Sequence, residues 1–370
     1  MRYEYISADN HLDTRWLPAD LWQARLPSKM KAQGPRVVET PEGSQWEWEG
    51  KVRGPAAAGS SNEKMQKQYF PNIDLKPGDL PSSTPSIVLH HMDMASIYAG
   101  VFYGDTRKWA IQDAELKLEV YRAYNDHAME MNAVNPDRIV VLPNLPTAFP
   151  DKCEAELDRL IKKGAKAVEF GVFDVGAPIY DTVWEPIWTK AEEAGVAICC
   201  HIGDKAGTPY PENRRGSLLA HFSIVPMVLA PHIAQFIFGG IVERHPKLNV
   251  SFAECRVGWV PFLISWMDRQ VHERKPDPDV KLTMLPSEYI KRNVTFTFEE
   301  DAVGVELVKT DWGYIKDSAI WGADYPHEQG TWPNPKPVID KMFAGADEKL
   351  KRAVLFDRAA RIFSIEGGRS

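Results

Sequence analysis

An aspartate and a histidine stand two residues apart near the start of the chain, within the apolar stretch 6–11. Residues two apart on a β-strand project from the same face, so Asp9 and His11 would point the same way. The pair alone is weak evidence, because both residue types also serve in turns and caps. It gains weight because three later apolar runs also end in a possible metal ligand, at His201, Glu254 and Asp324. The pattern indicates a metal site built from several strand ends.

The elements that would carry these residues alternate regularly beyond residue 85. Eight candidate strands are 3–10, 97–103, 138–142, 165–170, 196–201, 248–254, 294–298 and 318–324. Candidate helices are 115–131, 151–163, 184–195, 224–244, 257–272 and 302–310, and a last helix, 347–363, would pack outside the barrel. Strand and helix alternating through eight units predict an α/β fold, a distorted (β/α)8 (TIM) barrel with parallel strands. A doubly wound open sheet is the alternative, disfavoured because no Gly-x-Gly-x-x-Gly follows the first strand.

The stretch 12–84 interrupts the alternation with many prolines, so we expect little regular structure in it. Long loops in compact chains are usually functional or disordered. The aromatic side chains of this stretch favour an ordered lid that packs on the barrel over a plain surface excursion; they are Trp16, Trp22, Trp46, Trp48, Tyr69 and Phe70. We therefore predict one domain, 1–370, with a lid-like insertion at 12–84.

Composition limits the partners. The chain has 370 residues, 44% of them hydrophobic, and a net charge of −7 without a Lys/Arg-rich run, which argues against nucleic acid and anionic membranes. Four cysteines (Cys153, Cys199, Cys200, Cys255) lack the spacing of a disulfide framework, which favours reduced, buried residues and a cytoplasmic protein. No leader precedes Asp9 and no apolar run approaches the roughly 20 residues of a bilayer span. We expect a soluble protein with an intact amino terminus, a small-molecule substrate and a homodimeric assembly.

Chemistry in such a barrel lies at the carboxyl ends of the strands. Six ligand-type residues would meet there: Asp9, His11, Glu169, His201, Glu254 and Asp324. Uncompensated carboxylates in a barrel mouth cost several kcal/mol, and a bound cation would offset that cost. A divalent metal ion is therefore expected.

Several motifs also carry a family resemblance: Asp9-Asn10-His11, the stretch 184–188, His201-Ile202-Gly203, the stretches 238–248 and 254–261, and 322–327. Together they resemble the amidohydrolase superfamily, in the amidohydrolase-related branch that includes aminocarboxymuconate-semialdehyde decarboxylase and resorcylate decarboxylases. The resemblance implies a distorted (β/α)8 barrel that binds a divalent metal through Asp9, His11, His201 and Asp324.

The sequence differs from the family pattern at candidate site residues, which changes the roles that the resemblance implies for them. Asp9 stands where many members have His or Glu, and Glu254 stands where several decarboxylases have a His, so proton transfer by that His is not inherited. Glu254 would act as general base or bind metal. Glu169 stands where dinuclear amidohydrolases place a bridging carboxylate or carbamylated lysine, and the alternative is a salt-bridged acid.

The donor count leaves the chemistry open. Four carboxylates and two imidazoles match the ligands of di-iron carboxylate proteins, whereas a zinc hydrolase would have more nitrogen donors. Oxygen-rich donors suit manganese or iron as well as zinc. Two enzyme classes follow: a metal-dependent hydrolase or decarboxylase that uses a metal-activated water on an aromatic or polycyclic acid, amide or ester, and a non-heme di-iron oxygenase. A barrel that only binds a ligand is a third possibility, and one metal is favoured over two.

Further residues are assigned to the substrate. His221 would reach the substrate and His327 would be a partner of Asp324 or a proton donor, so the predicted catalytic set is Glu254, Asp324, His327 and His221. Aromatic residues near strand ends would line an apolar pocket; they are Tyr103, Trp109, Tyr325 and Trp332.

Overall fold

The computed structural model describes residues 3–104, 109–203, 216–274, 281–310 and 312–367. Within these ranges the strands are β1 (Tyr5–Leu12), β2 (Arg36–Thr40), β3 (Gly43–Trp48), β4 (Lys51–Pro55), β5 (Ile97–Gly104), β6 (Ile139–Val141), β7 (Ala167–Glu169), β8 (Ala197–His201), β9 (Val250–Ala253), β10 (Val294–Phe298) and β11 (Ala319–Trp321). The predicted strands correspond to β1 and β5 to β11.

These barrel strands pair in parallel in the orders β1-β5-β6 and β11-β10-β9-β8-β7. Isolated parallel bridges, Asn10 to Tyr325 and Asn144 to Glu169, join the two sheets at both seams. At the first seam the Asp324 amide donates to the Asp9 carbonyl over 2.8 Å. The predicted (β/α)8 arrangement is therefore confirmed, and it is distorted because β6, β7 and β11 are only three residues long.

Small side chains fill the inside of the barrel. Ala8, Ala99, Ala167, Ala197 and Ala253 are fully buried in one interior cluster. Eight tilted strands leave an interior just wide enough for side chains, so alanines inside give room for the larger polar groups above them. A second, larger cluster lies between the strands and the helices.

The helices are α1 (Leu21–Arg25), α2 (Asn62–Tyr69), α3 (Pro85–Met94), α4 (Ala114–Val134), α5 (Pro150–Lys162), α6 (Glu185–Ala194), α7 (Ser217–Ile224), α8 (Ala230–Phe238), α9 (Ile241–Arg244), α10 (Val260–Glu273), α11 (Pro286–Asn293), α12 (Ala302–Lys309), α13 (Lys336–Met342), α14 (Glu348–Arg352) and α15 (Arg358–Ile362). A π-turn, Ala353–Asp357, joins the last two into the predicted terminal helix. The predicted helix 224–244 is helical in parts but not continuous: Pro231 lies in the first turn of α8, and Gly240, at φ 70°, separates α8 from α9.

The expectation of little regular structure in 12–84 is also wrong. Strands β2, β3 and β4 form an antiparallel sheet, and α1 and α2 flank it. Alternate residues of β3 are buried, which gives the sheet one inward face carrying Trp46 and Trp48. Trp22 stands edge-on to both Trp46 and Trp109, with ring centroids 5.0 and 4.9 Å apart. The aromatic residues therefore order the stretch by packing, as a tertiary rather than a local effect.

One segment contradicts the expectation that no apolar run approaches the length of a bilayer span. Ser217–Phe238 is 22 residues long with a mean hydropathy of 1.5, and by length and composition alone it could cross a membrane. It is divided between α7 and α8, and α8 buries Ile233, Phe236 and Ile237 in the core. Much of α7 is exposed, including Leu219 and Phe222.

Candidate metal centre

Asp9 is buried in β1, and its two carboxylate oxygens have different surroundings. The Oδ2 atom accepts hydrogen bonds from the Thr297 hydroxyl at 2.6 Å and the Glu254 amide at 2.8 Å. The Oδ1 atom is buried and has no hydrogen-bond partner within the described ranges. Gly322 packs so closely that a Cβ there would lie 2.4 Å from the Asp9 Cβ. One oxygen is thus fixed by the protein while the other is directed at the centre.

His201, the last residue of β8, is oriented by its own backbone neighbourhood. Its Nδ1 lies 2.8 Å from the carbonyl oxygen of Ile202, which can only accept, so Nδ1 carries the proton. Nε2 is therefore the nitrogen that faces the centre, and loss of its proton would free a lone pair for a metal. It lies 3.7 Å from Asp9 Oδ1 and 3.2 Å from Glu254 Oε2. This is the orientation that a metal-binding imidazole requires.

Asp324 and His327 form the other side of the centre with His11. The Asp324 Oδ1 atom lies 3.0 Å from His11 Nε2 and 2.8 Å from His327 Nδ1. The rings of His11 and His327 stack with centroids 3.9 Å apart. His327 Nε2 lies 3.3 Å from Asp13 Oδ1, so His327 bridges two buried carboxylates.

The ionisation of these groups follows from burial and charge. Burial, and then the charges of His327 and His201, hold the pKa of His11 well below its usual value, so this imidazole is neutral. Burial would lower the pKa of His327, but the Asp13 charge and hydrogen bonds outweigh it and raise the pKa well above the usual range. Burial would raise the pKa of Asp13, but the charge of His327 outweighs burial, so the pKa of Asp13 lies below its usual value.

The residues present suit a divalent cation. Ligand atoms of Asp9, His11 and His201 all lie within 4.8 Å of one another, and so do those of His11, Asp324 and His327. Asp9 Oδ1 and His11 Nε2 are buried without hydrogen-bond partners among the described residues. Such atoms cost free energy unless something satisfies them, and a neutral imidazole with a carboxylate is what a metal binds.

The two remaining predicted ligands lie outside both of these groups. Glu254 Oε2 is 3.2 Å from His201 Nε2 and 3.8 Å from His11 Nε2, so it adjoins the centre. Burial would raise the pKa of Glu254, but the His201 hydrogen bond and charge outweigh it, so Glu254 is ionised. Glu169 is buried at the end of β7, opposite Cys199 in the parallel register.

The backbone is unusual at the same rim. Glu254, Arg256 and Asp324 have φ values of 55°, 59° and 55°, in the left-handed region that residues with a Cβ seldom adopt. Such conformations persist where the surrounding structure imposes them, and they concentrate at functional sites. Each of the three turns its side chain at a strand end.

A cavity of about 560 Å³ opens above these residues. Its lining includes His11, His201, His221, Glu254, Asp324 and His327, together with Arg15, Tyr69, Phe222 and Arg256. The predicted aromatic wall is not the one observed among the described lining residues. Trp109 packs on Trp22, and Tyr325 and Trp332 pack on each other. Tyr103 contacts His201 from the barrel interior, with ring centroids 4.8 Å apart.

Residues 74–365 match the amidohydrolase family. The chain belongs to this family.

Named relatives agree with that membership. This amidohydrolase is 26% identical, over 224 residues, to 2-amino-3-carboxymuconate-6-semialdehyde decarboxylase of Dictyostelium discoideum; the match spans 60% of this chain and 60% of that protein's length. A solved amidohydrolase from Mycobacterium avium subsp. paratuberculosis has a TM-score of 0.75 at 20% identity, covering 98% of this chain and 100% of that one.

A dihydroxybenzoic acid decarboxylase from Polaromonas sp., solved with manganese and the inhibitor 2-nitroresorcinol, has a TM-score of 0.64 at 14% identity, covering 99% and 98%. The likeness to these two structures concerns the fold. Neither the family nor these relatives are described as oxygenases, so the di-iron alternative has no support.

Sequence reasoning missed several residues around the amidohydrolase centre. Asp13 continues the same-face alternation of Asp9 and His11, a signal that was available in the sequence. Thr297 and Glu299 lie at the end of β10, a strand for which the sequence pattern predicted no metal ligand. Burial, and nearby carboxylates including Asp324, raise the pKa of Glu299 well above its usual value, while Arg256 opposes them.

Proposed function

We propose that this amidohydrolase is a metal-dependent lyase that removes CO2 from a small aromatic acid. The observation that carries the proposal is the convergence of Asp9, His11, His201 and Asp324 from three strand ends beneath the cavity, where Asp9 Oδ1 and His11 Nε2 are buried without hydrogen-bond partners among the described residues. The relatives named above that are decarboxylases support the reaction class. These four residues are the proposed metal ligands.

A divalent cation, when bound, would act as a Lewis acid on oxygen atoms of the substrate. The protein holds the ligands in place: Thr297 fixes Asp9, Ile202 fixes the tautomer of His201, and His327 fixes Asp324. When the bond from the ring carbon to the carboxylate breaks, its electron pair stays on the carbon, CO2 leaves, and the carbon takes a proton that comes from solvent water. We propose His327 as a positioning residue for Asp324, since both of its ring nitrogens face carboxylates.

Hydrolysis is the second candidate, and Glu254 favours it. An ionised carboxylate next to His201, and lining the cavity, can accept a proton from an attacking water. The substrate would then be an amide or ester of an aromatic acid. His221 lines the same cavity from α7 and is proposed to contact the substrate in either reaction.

Manganese is the proposed metal, with zinc and iron as alternatives. The oxygen-rich donors suit manganese, and the Polaromonas decarboxylase was solved with it. We propose one ion per chain, since Glu169 lies outside both groups of converging ligand atoms. Metal analysis of the wild type and Glu169→Gln is expected to give one ion in each protein. A fall from two ions to one would establish Glu169 as a bridge.

The experiment that tests the reaction incubates the manganese-loaded protein with hydroxybenzoic acids and their amides and methyl esters. We expect CO2, detected by membrane-inlet mass spectrometry, and one deuterium on the ring carbon when the reaction runs in D2O. Acid release from the amides or esters without CO2 would instead establish the hydrolase. Metal-loaded protein that does neither would overturn the proposed function.

The insertion 12–84 is proposed to be a lid within a single domain spanning 1–370. Arg15 and Tyr69 from this stretch line the cavity, which supports a role above the substrate. Deleting 40–70 would also remove Trp46 and Phe70 from the core, so point substitutions test the lid better.

A cytoplasmic homodimer is the proposed assembly. The exposed apolar side chains of α7, with Phe262 and Trp266 of α10, support contact with another molecule. Light scattering coupled to size exclusion is expected to give twice the 41.8 kDa chain mass, and a mass of one chain would contradict it.

A further inference from the structure

Arg256 lies on the wall of the cavity, two residues beyond Glu254. Its backbone is held firmly: its amide donates to the Thr297 carbonyl over 3.1 Å, and the amides of the next two residues, Val257 and Gly258, both donate to Asp301 Oδ2 over 2.8 Å. The side chain is 29% exposed, so it borders the cavity without being free in solvent. Its position is therefore built by the fold.

The guanidinium group is anchored through one nitrogen, Nη1. Nη1 donates to the Glu300 carbonyl over 2.5 Å and lies 3.0 Å from Glu299 Oε2, whose side chain is 1% exposed. Nε and Nη2 have no partner among the residues that the structure describes. The Nε–Nη2 edge is one of the two parallel N–H pairs with which arginine binds a carboxylate in bidentate geometry.

The charge around the cavity makes such a donor necessary for an acidic substrate. Asp9, Glu254 and Asp324 lie at the floor and would repel an anion wherever the metal does not offset them. Arg15 also lines the cavity, but it lies 3.4 Å from Asp13 and donates to the Tyr69 hydroxyl, so its charge is already engaged.

We propose that the Nε–Nη2 edge of Arg256 binds a carboxylate of the substrate, and that Glu299 is the positioning residue that holds the guanidinium for it. This inference rests on the proposed function and narrows its substrate class: an acid binds in preference to the matching neutral amide or ester. Neither residue takes part in bond breaking. Arg256 selects the ligand, and Glu299 acts through Arg256.

The test uses calorimetric titration of full-length protein, as purified and after loading with Mn²⁺. The probes are pairs of an acid and its amide: 2-hydroxybenzoic acid, 2,6-dihydroxybenzoic acid and 1-naphthoic acid, each with the corresponding amide. In the wild type we expect at least one acid to bind 10-fold or more tightly than its amide. Arg256→Gln is expected to weaken binding of that acid by about 10- to 100-fold and to leave binding of the amide unchanged, as for loss of a charge-assisted hydrogen-bond pair.

Two further variants separate charge from geometry. Arg256→Lys keeps the charge but not the paired N–H groups, so its loss of affinity for the acid should be about half that of Arg256→Gln on a logarithmic scale. Glu299→Gln should weaken binding of the acid by about 3- to 10-fold. Arg269→Gln is the matched control, since Arg269 is exposed on α10 and paired with Glu273 at 2.6 Å. It should bind every probe as the wild type does.

Three results would overturn the inference: no acid preferred over its amide, equal acid affinity in wild type and Arg256→Gln, or equal losses for acid and amide. Should Arg256→Gln not fold, Arg256→Lys and Glu299→Gln decide by the same criterion. Binding and turnover are read separately. An acid preference that depends on Arg256 in a protein without turnover would sink the proposed function and leave this inference standing.

Discussion

The rim of the barrel and the insertion 12–84 reach order by different routes. At the rim, the candidate metal ligands lie in or just beyond strands whose residues are buried throughout, as in β1 and β8. In the insertion, short strands and helices are held by tryptophans that contact the barrel. Trp22 contacts Trp109 and donates from Nε1 to the Val120 carbonyl over 3.2 Å. The first region is organised by topology, and the second by side-chain packing.

That difference separates what each region contributes. Parallel strands bring distant residues to one edge whatever lies between them, so the rim can hold a constellation of charged groups. The insertion has no such framework, and its position depends on a few large side chains. Substitutions at the rim should therefore change chemistry, whereas substitutions in the insertion should change stability and substrate affinity.

The largest expected effect is at the rim. His201→Ala removes the imidazole whose Nε2 faces Asp9 and Glu254, so we expect loss of both metal binding and turnover. Metal content by plasma mass spectrometry and the CO2 assay measure the two losses. His272→Ala, at an exposed position on α10, should behave as the wild type. Full metal and activity in His201→Ala would remove His201 from the proposed site.

The next effect concerns the packing of the insertion. Trp22→Ala deletes a fully buried ring that contacts Trp46 and Trp109, and it should lower the free energy of unfolding by about 3 to 5 kcal/mol. Denaturant unfolding followed by circular dichroism measures it. Val52→Ala in the exposed part of β4 is the control and should change stability by less than about 0.5 kcal/mol. A small effect for Trp22→Ala would mean that the insertion is a surface excursion after all.

The stability of the protein should depend on pH through His127 of α4, which lies near Arg25 of the insertion. Burial, and then the charge of Arg25 from α1, lower the pKa of His127 to about 4 from 6.5. Between these values the unfolded chain binds more protons than the folded one, so stability falls as the pH drops from 6.5 towards 4. The loss should reach about 2 kcal/mol at pH 4.5.

Unfolding of wild type and His127→Gln at pH 7 and pH 4.5, both without metal, measures this contribution. Between pH 7 and pH 4.5, His127→Gln should lose about 2 kcal/mol less stability than the wild type. His272→Gln serves as the exposed control and should follow the wild type. Identical pH dependence in wild type and His127→Gln would show that His127 is accessible to protons in the folded protein.

The smallest expected effect tests the lid. Tyr69→Phe removes the hydroxyl that accepts from Arg15 at the cavity wall. Arg15 should be held less firmly at the cavity wall, so KM should rise about 2- to 5-fold while kcat stays the same, as for the loss of one hydrogen bond. Tyr180→Phe at an exposed position is the control. A fall in kcat without a change in KM would argue against a lid that only binds substrate.

The sequence by itself determined the barrel and the residues at its rim. Alternation of apolar runs and helices is a local property, and a ligand-type residue at the end of a strand keeps its place in any closed parallel sheet, as Asp9, His201 and Asp324 do. The antiparallel sheet of the insertion was beyond such reasoning. Its prolines suggested irregularity, and the buried face of β3 is stabilised by contacts with Trp22 and the Thr14 carbonyl, which no local pattern reveals.

Only the tertiary structure decided which rim residues converge. Strand ends are predictable, but a side chain's direction depends on φ at the last residue, and Glu254, Arg256 and Asp324 take left-handed values that the sequence does not announce. The contact of Arg256 with Glu299 joins residues 43 positions apart through the ends of neighbouring strands, β9 and β10. Side-chain distances of 3 to 4 Å decide chemistry, and they are set by the packing of the whole barrel, because no single strand contains both partners.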